Sequence, residues 1–151
     1  MSVREDIAKD IITDLQGITT PKVVLVSRNP INLNDMAITQ YPAIVVRTAE
    51  EIREDATMQS GPLRFGTINY QIECYVRADS SAVTKNNSID TQINAIVEAV
   101  EEALETDRTR NSQAMNSYVS AITSIDEGIQ YPIGRVDITF TVQYKYTRGT
   151  L

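Results

Sequence analysis

Thr67-Ile-Asn-Tyr-Gln-Ile-Glu-Cys-Tyr-Val-Arg77 is the stretch on which the reading of the fold turns. Ile68, Tyr70, Ile72, Cys74 and Val76 alternate with Thr67, Asn69, Gln71, Glu73, Tyr75 and Arg77. A period of two held over that length is a β-strand with one face in a core and the other wet. Cys74 falls in the apolar phase and reads as a small buried hydrophobe. Tyr75 falls in the outward phase, where a residue with apolar area and a polar tip suits an interface.

Downstream of this strand, Ala78 to Asn87 is a polar linker. A helix starts at Asn87 or Ser88, with Asp90 in its first turn, and runs to about Thr106. Its apolar stripe is Ile89, Ile93, Ile96, Val97, Val100 and Leu104. Tyr118 to Ile125 and Val136 to Tyr146 are two further strands. The second turns Val136, Ile138, Phe140, Val142, Tyr144 and Tyr146 inward and Asp137, Thr139, Thr141, Gln143 and Lys145 outward. Asp126-Glu127-Gly128 and Pro132-Ile-Gly134 lie between them, so the pair reads as an antiparallel hairpin with a broad turn.

Upstream, Ala49 to Gly61 is polar and mixed in charge and ends at the breaker Ser60-Gly61-Pro62. It reads as a long connection or a projecting hairpin. Pro42 to Arg47 and Lys22 to Ser27 are short apolar runs rich in β-branched residues, expected as strands buried on both faces. Arg28 to Gln40 reads as loop, with a turn at Asn29-Pro30. Residues 3 to 15 form an amphipathic helix on Val3, Ile7, Ile11 and Leu15, widened by Ala8 and Ile12, capped by Ser2 and stopped at Gly17.

The element order is therefore α-β-β-β-α-β-β. Strands come in runs rather than in strict βαβ alternation, which predicts the α+β class: a mostly antiparallel β-sheet with two helices packed on one face. The chain's 151 residues suit a single domain spanning 1–151.

Composition narrows the function. A net charge of −6 argues against nucleic acid as a direct partner, because phosphate binding is driven by clustered Lys and Arg. Arg108 and Arg110 are the nearest approach to such a cluster, and with Glu105 and Asp107 beside them they read as solvated surface. One cysteine excludes an intramolecular disulfide. The N-terminus lacks the apolar segment of a signal peptide, and no window is apolar enough for a membrane span. A soluble protein made in a cytoplasm is the expectation.

Catalytic parts are missing. With no histidine, the commonest general base and metal ligand is gone, and one Cys leaves no structural zinc set. No phosphate-binding glycine loop or EF-hand loop occurs. Glu98, Glu101, Glu102 and Glu105 lie opposite the apolar stripe of the second helix. They read as a solvated face rather than a cation site or carboxylate dyad, which draws on two elements and a cleft. The expectation is no enzyme, no metal and no cofactor.

Three stretches give the chain a resemblance. They are Tyr41-Pro-Ala-Ile-Val-Val-Arg47 with the charged segment after it; Gly66 to Arg77 with the polar linker and acidic helix that follow; and Ile122-Thr-Ser-Ile-Asp-Glu-Gly128 with Pro132 to Tyr144. In that order they resemble the tail terminator proteins of long-tailed bacteriophages, also described as minor tail or tail completion proteins. The resemblance implies a structural virion protein in the tail or neck, assembled in the host cytoplasm. It further implies a homohexameric ring that caps the tail tube protein, ends tail growth and offers its other face to a head or neck connector. A head–tail connector or a tail tube subunit is the alternative within the same setting, and a small ligand-binding or enzymatic domain the alternative outside it.

The expected assembly contacts are the Arg53–Phe65 loop, with Arg53, Glu54, Asp55, Arg64 and Phe65, and the Asp126–Arg135 turn, with Asp126, Glu127 and Arg135. Tyr75 joins them as the outward aromatic. Length, charge and position at strand ends motivate both segments.

Overall fold

The structure is a computed structural model that describes residues 3–19, 22–29, 41–55, 63–77, 89–110, 114–127 and 133–147. Its elements in chain order are α1 (Val3–Gln16), β1 (Leu25–Ser27), β2 (Ala43–Asp55), β3 (Leu63–Arg77), α2 (Ile89–Glu105), β4 (Asn116–Glu127) and β5 (Ile133–Thr147). The five strands make one sheet in the order β1-β2-β3-β5-β4. Every pairing is antiparallel except β1 with β2. The α+β class and the α-β-β-β-α-β-β order are those expected.

Both helices cover the same face. Ile7, Ala8, Ile11 and Leu15 of α1 and Ile93, Ile96, Val100 and Leu104 of α2 share one buried cluster with Ile68, Tyr70, Ile72, Cys74 and Val76 of β3 and Val136 to Tyr146 of β5 in its inward phase. The i, i+3, i+4 spacing of the helices and the period of two in the strands meet on one plane, and burying that apolar area drives the fold. Burial pushes the Cys74 thiol well above its usual range, as expected of an inert core cysteine. At Gly17 the helix closes with an N–H donated to the Asp14 carbonyl at 3.2 Å.

Arg110 corrects one expectation. It is fully buried, with φ of 49°, rather than solvated. Its guanidinium donates to Asp14 Oδ2 at 2.5 Å and to the carbonyls of Leu104 and Asp107, and stacks 5.5 Å from the Phe140 centroid. One side chain thus ties the end of α1, the end of α2 and the sheet together. Arg108, its neighbour, is exposed as expected.

Several strand bounds also differ from expectation. Lys22 to Val24 are not in β1: Thr19 and Lys22 form an isolated bridge, Val24 is 52% exposed, and the Val24 N–H donates to the Pro42 carbonyl at 3.0 Å. β2 is the larger difference. It runs on from Arg47 to Asp55, through residues expected as a connection, and pairs antiparallel with β3 as one arm of a hairpin, while 56–61 of that segment lie outside the described residues. The pattern hid this because a register shift between Thr48 and Glu51 inserts a bulge and breaks the alternation. Past the bulge Glu51 takes an inward position, where it accepts from Arg4 Nε at 3.0 Å, from the Tyr144 hydroxyl at 3.1 Å and from Arg53. A carboxylate at an inward position is tolerable only with that many donors. Ala43 to Val46 are buried on both faces, as expected of that run.

Candidate assembly surface

The helix-free face of the sheet carries the polar chemistry. Near the C-terminal end of β3, Val45, Glu73 and Asp137 stand in one cross-strand row, and Ala43, Tyr75 and Arg135 in the next. Glu73 and Asp137 are like charges directly opposite each other and are only 2% and 7% exposed. Arg135 resolves the conflict. It contacts Asp137 through Nε at 2.8 Å and Nη2 at 3.0 Å, and the same Nη2 reaches Glu73 Oε1 at 2.9 Å. Hydrogen bonding to Asp137 holds the Arg135 pKa above its ordinary value, against the partial burial that lowers it.

The network extends through neighbours on both sides. Gln71 Nε2 donates to Asp137 Oδ2 at 2.7 Å, and the Tyr75 hydroxyl donates to Glu73 Oε1 at 3.0 Å. Burial, and then that bond to Glu73, push the Tyr75 phenol up to about 12. Arg47 Nε lies 2.8 Å from Glu73 Oε2, yet Oε2 has no hydrogen bond of good geometry, so this contact is an ion pair rather than a directed bond. A small apolar cluster of Ala43, Val45 and Tyr75, with Leu25, Tyr41 and Ile133 packed against it, shields the network from solvent.

The opposite end of the sheet is the β2–β3 hairpin. Arg53 pairs in register with Gly66, Glu54 with Phe65 and Asp55 with Arg64. The Arg53 guanidinium sits 4.8 Å from the Tyr146 ring centroid, and Lys145 Nζ lies 5.8 Å from that of Phe65. Glu54 is exposed.

The nine residues expected at contacts therefore fall into two groups. Arg53, Glu54, Asp55, Arg64 and Phe65 gather at the hairpin end. Tyr75, Asp126, Glu127 and Arg135 gather at the other, where Asp126 pairs in register with Arg135 and Arg135 with Tyr75. Phe65 and Tyr75 are about 33 Å apart along β3, at roughly 3.3 Å per residue. Tyr75 is only 6% exposed and Arg135 is held by two carboxylates, so in the isolated chain both form a supporting layer rather than an open contact. Asp137, read as outward and wet, is buried because Arg135 and Gln71 satisfy it.

Arg47, Glu73 and Asp137 were missed as a set, and Glu51, on the other face, was missed separately. A signal for part of the set existed: two outward carboxylates on adjacent long strands, with one arginine two residues from Asp137, predict a shared guanidinium once the register is known.

Glu98, Glu101, Glu102 and Glu105 line a shallow depression of about 440 Å³ with Thr106, all on or beside one helix. A groove of about 580 Å³ runs between the end of α1 and α2, lined by Asp14, Ile18, Ala99 and Glu102 among others. Among the described residues no three His, Cys, Asp or Glu side chains are placed to hold a metal ion, and no helix is long and apolar enough to cross a membrane.

No protein-family model matches the chain, and no curated protein does. Among solved structures it is similar to a chain in the virion of a native gene transfer agent (GTA) particle, at 15% identity over 96% of this chain and 92% of that one, with a TM-score of 0.46.

Proposed function

We propose that this chain is a non-enzymatic structural virion protein, a subunit of the ring that caps the tail tube of a long-tailed bacteriophage. The ring ends tube growth and provides the surface to which the head or neck connector joins. The observation that carries the reading is where the resembling stretches lie. Within the resembling stretches, residues 43–47 belong to β2, 66–77 to β3, 122–127 to β4 and 133–144 to β5, which are neighbouring strands of one sheet, and 128–132 lie outside the described residues. The resemblance therefore traces one contiguous structural unit rather than scattered motifs.

The separation of the two groups of candidate contacts supports a two-sided job. The hairpin end, with Arg53, Glu54, Asp55, Arg64 and Phe65, and the Tyr75–Asp126–Glu127–Arg135 end stand at opposite ends of the strands. A ring whose axis follows the strands turns the hairpin end toward one rim and the end at Asp126 and Glu127, with Tyr75 and Arg135 as its supporting layer, toward the other, one rim for the tube and one for the neck. Different patterns of charge on the two rims give different partners by complementarity.

The test is the mass of the purified chain, alone and mixed with the tail tube protein of the same phage. A closed ring of fixed mass that stops tube elongation is the expected result. Open-ended filaments of the chain by itself would identify a tube subunit instead. Absence of any oligomer in both conditions would overturn the ring. Replacing Arg53, Glu54 and Asp55 with Ala tests the hairpin end: tails of unchanged length would remove it from the contact surface.

A further inference from the structure

Among the described residues the sheet has two open edges, and they are complementary to each other. β4 pairs only with β5, so one side of Asn116–Glu127 is unpaired among the described residues. Among the described residues β1 covers only Ala43 to Val45, so the far half of β2, from Arg47 to Asp55, has no described strand on that side. An open edge is a row of unused N–H and C=O groups and a template for another strand. Natural edges are usually blunted by charge. β4 instead carries no charged residue from Asn116 to Ile125, and exposes Tyr118 at 38% and Ile122 at 46%. On β2, Ile52 is the most exposed of the large apolar residues at 57%.

Their placement matches. Ile52, Thr67, Gln143 and Asn116 form one row across four strands, and Tyr118 lies two residues farther along on the same helix-free face. The directions match too. β2, β3, β5 and β4 alternate strictly, so β4 runs opposite to β2. When a second copy is set beside the first in the same orientation, its β2 lies antiparallel to the first copy's β4. Two like edges fit less well. A two-fold β2–β2 contact centred on Ile52 sets Glu50 of each copy opposite Glu54 of the other, and a β4–β4 contact leaves both β2 edges open.

We propose that β4 of one copy pairs antiparallel with the Arg47–Asp55 half of β2 in the next, so that the sheet continues from subunit to subunit. This names the lateral contact of the ring and rests on the ring reading. The contact is heterologous, the kind that closes into a ring when the rotation allows. It leaves the two strand ends free for the tube and the neck. One guard stands in the way. The Val119 N–H donates to the Glu105 carboxylate at 3.0 Å, so α2 shields one edge amide in the isolated chain and releases it on pairing.

The experiment uses the full chain carrying Ile52→Cys and Tyr118→Cys together, treated with a short bis-maleimide; Cys74 is fully buried and stays in place. A ladder of covalent dimers, trimers and higher species is expected from the double variant and none from either single variant. Glu105→Ala, at an exposed position, should give the ladder at lower protein concentration, and Tyr118→Lys should abolish assembly while leaving the melting temperature unchanged. Rings of normal mass without a ladder would overturn this contact and leave the ring standing. Dimers from Tyr118→Cys alone would replace it with a two-fold β4–β4 contact. A chain that stays monomeric with and without the tube, and gives no cross-link, would overturn both.

Discussion

The ring of Tyr144 lies across Gly66, its register partner on β3, so closely that a Cβ on residue 66 would stand 2.5 Å from Cε1 and 2.7 Å from Cζ. The absence of a side chain at position 66 is what lets the phenol lie flat on the sheet and reach Glu51 at 3.1 Å. Burial, then the charge of Glu51, push the Tyr144 phenol up to about 12. Tyr144 also meets the Tyr146 ring at a centroid distance of 5.7 Å, so the glycine supports the aromatic floor beneath Arg53.

Gly66→Ala should therefore destabilise the chain by about 1–3 kcal/mol, the usual cost of overpacking a core. Urea unfolding should show a lower midpoint with an unchanged slope. In a Tyr144→Ala background the same substitution should cost almost nothing, because the atom it strikes is gone. Additive effects in that cycle would mean that the ring is not what requires the glycine.

Arg110→Ala should cost about 3 kcal/mol or more, since it strands Asp14 and two helix-end carbonyls beside a buried void. The backbone supplies an internal control. With φ at 49°, residue 110 is in the left-handed region, which costs a side-chain-bearing residue roughly 1–2 kcal/mol. Arg110→Gly should accordingly be the milder variant by about 1 kcal/mol, despite removing the same contacts. Equal melting temperatures for the two would contradict that backbone assignment.

The two arginines of the helix-free face should behave differently. Arg135 holds two nearly buried carboxylates apart, so Arg135→Ala leaves Glu73 and Asp137 facing each other and should cost about 3–5 kcal/mol. Arg47 is 47% exposed at its side chain and meets one carboxylate, so Arg47→Ala should cost about 1 kcal/mol or less. Adding Asp137→Asn to Arg135→Ala should recover part of the loss. A double variant less stable than Arg135→Ala alone would show that the facing charges are not the cause.

The sheet was legible where burial was one-sided. β3 and β5 keep strict alternation, and their inward residues are the core as read, including Tyr70, Tyr144 and Tyr146. The helices were legible for the same reason at a period of 3.6. β2 was not, beyond Arg47, because a bulge shifts its phase and an unpaired edge lets charged residues occupy strand positions. The candidate contacts were found as separate segments. That Tyr75, Arg135 and Asp126 share one row depends on strand register, which no local pattern encodes. Arg110 was invisible because its partners Asp10 and Asp14 are far away in sequence.

Asp10 offers a test by pH. Its carboxyl sits above its ordinary 3.8, because burial and then the neighbouring Asp14 outweigh the attraction of Arg110. Its Oδ2 lies 3.2 Å from Arg110 Nη1 but is buried without a directed hydrogen bond. A carboxyl whose pKa is raised on folding binds its proton more tightly in the folded state. The stability this confers is present in full below the unfolded value and is lost as pH rises through the folded one. Asp10→Asn cannot make that loss. Its melting temperature relative to the parent chain should climb as pH is raised from 3.8 through the raised folded value, then level off above it. A relative stability that is level above 3.8 and falls as pH rises toward 3.8 from below would mean that ionised Asp10 is held mainly by Arg110, and that the buried cluster is an ion triad rather than one salt bridge with an uncomfortable neighbour.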